Sequence, residues 1–217
     1  MVEEHLATHL SLDRSKIPPA LSTAKSTATS ELLVALIEET LFTSKPNEEP
    51  YASEGLAPEG VACELFRSLA CKDLNEAFKY LNDFLRREPR EGILADQTAL
   101  MFCGGIFYAI NQDPSRKISI PPWTELANTA EAIINGDAGF NKSILNSETA
   151  KDSIAAAFFT IAAFTIDDSN YSEFESAFYA LSTGRRFFEN SFLMNLEDEY
   201  TTKGLHPKIQ ALLSAPE

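Results

Sequence analysis

The chain has 217 residues, 44% of them hydrophobic and 23% charged, and a net charge of −14. That length and balance suit a globular protein with a sizeable core. So negative a chain lacks the cationic footprint that phosphate binding needs and is repelled by anionic lipid, which argues against nucleic acid and membrane surfaces as direct partners.

Residues 1–28 read as an N-terminal arm with one short helical pattern in Val2, Leu6 and Leu10. Pro18-Pro19 within a Ser- and Lys-rich stretch favours extended backbone and low order. A helix is predicted from Ser30 to about Thr43, with Leu33, Leu36, Ile37 and Leu41 on one face. Residues 44–58 read as a loop holding three prolines and Glu48, Glu49 and Glu54. A structureless connection of that length is either mobile or functional.

Pro58 starts a helix to about Cys71, and Asp73 with Glu76 has the form of a capping box opening the next, to about Arg87. Ile93–Ile110 reads as a buried helix with Gly104-Gly105 in its middle, where a close helix crossing is the first explanation and a kinked ligand pocket the second. Residues 111–121 read as a loop. Pro122 opens a helix to Asn135, stopped by Gly136, and residues 137–146 read as a loop or short helical turn.

Ser147–Ile166 is the stretch around which the rest is organised. From Ile154 to Ile166 it holds no charge, Gly or Pro, and apolar side chains lie on every face. That predicts a helix with neighbours all round. Its uncharged run is shorter than the ~20 residues a membrane span needs. Asn170 with Glu173 has the form of a second capping box, opening a helix from Tyr171 to about Thr183. Two more are predicted, Arg185 to about Tyr200 and Pro207–Ser214.

The fold class is therefore all-α: an irregular bundle of eight or nine helices in a single domain over residues 29–217, built around two buried helices near 93–110 and 148–166. No alternating strand pattern and no fixed-period repeat occurs.

Motifs for chemistry are absent. His5 and His9 share a helical face, but EHLATHL lacks the Glu directly after the first His that a zinc protease needs. Cys63 and Cys71 are not at a zinc spacing. There is no G-x-S-x-G and no Glu-x-x-His pair, and Cys103-Gly104-Gly105 does not follow a strand. The adjacent carboxylates Glu38-Glu39 and Asp167-Asp168 do not share a helix face, so they make poor acid–base pairs and read as solvated surface. Arg185-Arg186 reads as an exposed pair that could meet an anion at a helix start. No catalytic residue, metal ligand or cofactor is assigned. Three cysteines with no signal-peptide pattern predict reduced thiols in a cytoplasmic protein.

The charge layout is more informative. Residues 31–64 carry eight Glu against one Lys, and residues 167–200 eight acids against two Arg. Between them residues 65–90 carry six Lys or Arg against four acids, with Arg86, Arg87 and Arg90 clustered near a helix end. This pattern predicts a non-enzymatic interaction, inhibitor or regulatory protein whose acidic surface meets a basic protein partner. Glu38, Glu39, Glu48, Glu49, Tyr51 and Glu54 form the candidate partner-binding segment, an aromatic among carboxylates. Two rival readings are a helical protein with an apolar small-molecule cavity and an enzyme with a scattered site.

Overall fold

The computed structural model describes residues 28–43, 58–185 and 205–209. The N-terminal arm with His5 and His9, Glu48, Glu49, Tyr51 and Glu54, and most of the two last predicted helices lie outside the described residues. Those that are described include eight α-helices and no strand.

Helix α1 is Ser30–Glu38. Thr29, one residue before the predicted cap, accepts from the Leu32 amide at 3.3 Å. The predicted helix does not run on unchanged to Thr43. It widens into a π-helical turn, Glu39–Thr43. Its loosened carbonyls are taken from outside: Arg90 reaches the Thr40 oxygen through Nε at 3.1 Å and the Leu41 oxygen through its backbone amide at 3.0 Å.

Helix α2 is Pro58–Lys72 and α3 is Leu74–Phe84. Asp73 caps α3 by accepting from the Glu76 amide at 3.0 Å. The helix stops short of Arg87 because Asn141 takes over the carbonyls that follow. Its amide donates to Leu85 at 2.8 Å and its side chain to Arg87 at 2.6 Å.

Helix α4 is Ala95–Gln112. Residues 111–121, read as a loop, contain a 3-10 segment, Pro114–Ser119, where the Asp113 carboxylate accepts from the Ser115 amide and hydroxyl. Helix α5 is Trp123–Asn135 and closes on Gly136 at φ 72°, a left-handed cap that only glycine adopts without strain. Helix α6 is the single turn Lys142–Leu145, capped by Asn141. Helix α7 is Glu148–Ala163, capped as expected by Ser147, and α8 is Tyr171–Ser182. The second expected capping box does not form. The Asn170 side chain turns back to the Asp167 amide at 2.9 Å instead of bonding α8.

Helix α7 is the axis of the fold. Every residue from Ala150 to Ala163 is buried. It packs against α5 on one side and α4 on the other, and α4 in turn against α2. Alanines at 155, 156, 157, 162 and 163 let those backbones approach, while Phe158 and Phe159 are completely enclosed. Burying one such aromatic is worth about 1.5–3 kcal/mol. Phe159 meets Phe174 at 5.6 Å and Phe178 at 5.9 Å, which ties α8 to the axis. The charged amino end of α7 is compensated. Lys151 bonds Glu148 at 2.6 Å, and Asp152 holds Arg185. Arg185 is therefore half-buried and paired, not an exposed anion receptor.

Gly104 and Gly105 play opposite parts. A Cβ at Gly105 would lie 3.0 Å from the Phe66 ring and 3.4 Å from the Arg67 Cα, so this glycine is where α4 crosses α2. A Cβ at Gly104 would meet nothing within 4 Å. The second helix expected to be buried is thus buried on most of its circumference but open along one stripe. No helix among the described residues is long and apolar enough to cross a membrane.

Candidate functional site

Of the six carboxylate and tyrosine residues singled out above, the structure places Glu38 and Glu39. Glu38 is engaged within the fold. Its two oxygens take Nη1 and Nη2 of Arg87 at 2.8 and 2.7 Å, a bidentate pair. Arg87 also bonds Asp83 at 2.9 Å and lies over the Phe42 ring at 3.9 Å. Those bonds hold the Arg87 proton firmly and raise its pKa. Tyr80 sits buried beside this pair. Burial and the nearby Glu38 carboxylate raise its phenol, yet its hydroxyl makes no hydrogen bond of acceptable geometry. This cluster clamps α1 to α3, so Glu38 has little charge left for a partner. Glu39 points outward from the π-helical turn.

A different surface stands out, on α4. Leu94 is 51% exposed, Met101 44% and Tyr108 42%, and exposed Gln97 and Gly104 lie between them. Positions 94, 97, 101, 104 and 108 follow the alternating three- and four-residue spacing of a helix seam. Thr98, Ala99, Phe102, Cys103 and Gly105 face the core from the same turns. The stripe runs about 21 Å along the helix, at 1.5 Å per residue. Gly104 leaves a shallow notch midway, with open space where a side chain would stand.

Helix α2 borders the stripe. Arg67 lies over the Tyr108 ring at 4.8 Å and is bonded to Glu64, so one end of the stripe carries a fixed aromatic with its cation neutralised. At the other end Glu59 accepts from the Leu94 amide at 3.1 Å, which anchors the start of α4 to α2. Glu59 and Glu64 are half-buried along this border, and half-buried Asp96, half a helical circuit from Gly105, lies on the opposite flank of the stripe. The face is apolar at its centre and acidic at its rim, the composition of an interaction surface more than of a reaction site.

Nothing here is arranged as a nucleophile. Burial pushes the Cys103 thiol up to about 12, and burial with the carboxylates of Glu64 and Glu59 pushes Cys63 up to about 12 as well. Thiols so shifted are protonated and unreactive near neutrality. Among the described residues no group of three His, Cys, Asp or Glu side chains is placed to hold a metal ion.

The stripe was present in the sequence as Leu94, Met101 and Tyr108, seven apart, with polar Gln97 and small Gly104 filling the register. Strong hydrophobicity on the remaining positions of α4 hid it. No family model matches the chain, and no curated protein or solved structure is significantly similar to it.

Proposed function

We propose that this protein acts by protein–protein interaction without catalysis, as a regulatory or inhibitory subunit, and that it receives a basic amphipathic helix along the outer stripe of α4. The observation that carries this reading is the exposure of Leu94, Met101 and Tyr108 in helical register. Three large apolar side chains kept in water on one face are costly without a use, and helical spacing matches a helical occupant. The protein's charge of −14 selects the sign of that occupant's flanks.

The acidic segment contributes through its attachment. Glu54 precedes Glu59 by only five residues in the sequence. Glu59 holds the Leu94 end of the stripe. Glu39, Glu48, Glu49 and Glu54 would then steer a basic partner, with Tyr51 as an anchor beside them. We place this activity in the cytoplasm, in keeping with three cysteines that form no disulfide. The apolar-cavity alternative gains no support at Gly104-Gly105, where one glycine is filled by Phe66 and the other opens to solvent.

Binding of an amphipathic Leu/Lys helical peptide, read by fluorescence anisotropy, tests the reading through Met101→Asp. If charge alone drives capture, the added carboxylate tightens binding. If the apolar stripe is the seat, it weakens binding by about tenfold or more. Met101 is exposed, so stability should change by no more than about 0.5 kcal/mol. Unchanged or tighter binding in the variant rejects α4 as the site.

A further inference from the structure

The three clustered arginines are not equivalent. Arg87 is spent on Glu38 and Asp83, and Arg90 on the end of the π-helical turn. Arg86 has no hydrogen bond or ion pair through its side chain, alone among the described arginines. It is nevertheless held in place. Its guanidinium lies 4.5 Å from the centre of the Phe140 ring, and a Cβ on Gly139 would come within 3.0 Å of its Nη1. The turn carrying Gly139 and Phe140 thus grips the cation while all its N–H donors remain unused.

Arg86 forms part of a groove of about 590 Å³. Asn82 and Arg86 stand on the α3 side; Thr124, Glu125 and Asn128 stand on α5. The side chains of Asn82, Thr124, Glu125 and Asn128 likewise have no partner among the described residues. The groove therefore presents one unpaired cation, one unpaired carboxylate on the opposite wall, and uncommitted amide and hydroxyl groups between them.

We infer that this groove binds a small zwitterion, an amino acid or a short peptide with free ends, its carboxylate on Arg86 and its ammonium group on Glu125. A guanidinium fixed in orientation suits the planar carboxylate, which it can take through two parallel bonds. Asparagine amides both donate and accept, so Asn82 and Asn128 match the amide groups of a peptide body. The ligand's opposite charges satisfy both walls at once, which a simple anion does not. The volume exceeds a single small amino acid and accommodates two or three residues. The site is separate from the α4 stripe and does not depend on it.

Calorimetric titration of the full chain with amino acids and with di- and tripeptides tests this, each peptide in free, C-amidated and N-acetylated form. Free peptides or amino acids should bind, and the two classes of source are distinguished by which saturates at lower concentration. Amidation and Arg86→Gln should each weaken binding by about 10- to 100-fold, and together no further, because both remove the same interaction. N-acetylation and Glu125→Gln should behave as a second such pair. Both residues are exposed, and unchanged thermal melts would establish that the variants remain folded. Absence of binding by every zwitterion, binding indifferent to Arg86→Gln, or acetylated peptides binding as tightly as free ones would each overturn the assignment.

Discussion

The Cys103 side chain is enclosed in the core and its thiol is shifted from 9.0 to about 12 by burial. The direction of the resulting pH dependence follows from proton counting. The unfolded thiol ionises near its ordinary value, whereas the folded one keeps its proton to about 12. Its stabilising contribution is complete below the unfolded pKa and declines as pH rises through the interval, by about 1.4 kcal/mol per pH unit. Urea midpoints measured at about pH 8 and about pH 10 should therefore fall for the wild type, and fall less for Cys103→Ala. Parallel declines in the two proteins would show that this thiol is not protected. Residue-scale reading from sequence was good for caps with a single choice of partner, such as Asp73 and Ser147. It failed at Asn170, whose side chain had two amides within reach and took the one in the preceding turn.

The glycine pair in α4 separates two effects at the scale of the element. Gly105→Ala drives a methyl group against Phe66, which is stacked on Phe102 at 4.1 Å and cannot swing away. A loss of about 1–3 kcal/mol is expected, as for other overpacked cores. Gly104→Ala enters open space in the same helix and should raise stability by roughly 0.5–1 kcal/mol through helix propensity alone. Thermal or urea denaturation of the two variants checks the opposite signs. If both destabilise, the outer stripe of α4 is covered. A methyl group at Gly104 would also fill the notch in that stripe, so the same variant should weaken an incoming helix while stabilising the fold.

For the whole molecule, α7 is the element whose failure is global. Ala156 and Phe159 are completely buried, and neither has a cation nearby in the apolar stretch they occupy. Ala156→Asp or Phe159→Asp places an unpaired carboxylate there, a cost of several kcal/mol that is a large share of a domain's stability. Loss of the cooperative melting transition is expected; unchanged denaturant midpoints would mean α7 is not the axis. The proposed acidic surface would act at the same scale but on rates. Replacing Glu48, Glu49 and Glu54, which the sequence predicts to lie in a solvated loop, with Gln should leave the melting temperature nearly unchanged, since charges of that kind contribute little to stability. It should slow association with a basic helical peptide and flatten its dependence on salt, because steering fades once the screening length falls to ~8 Å. Stopped-flow association at two ionic strengths measures both. Equal rates in the two proteins would leave those glutamates without a part in steering.

Periodicity alone determined the helical class, the central place of the 148–163 helix and most helix starts, because these depend on 3.6-residue spacing and on hydrogen bonds reaching three or four residues. Gly136 was legible as a stop for the same reason: the left-handed cap is a local demand of the backbone. Only the tertiary structure decided which charges are spent. Glu38 and Arg87 are 49 residues apart, so their bidentate bond forms only once packing brings the end of α1 beside the end of α3. The same packing leaves Arg86, adjacent in sequence to Arg87, unpaired against Phe140. Tertiary structure also decided which face of α4 stays in water. Its apolar residues occur on every side, so hydrophobicity could not distinguish the stripe that α2, α3 and α7 cover from the one they leave open.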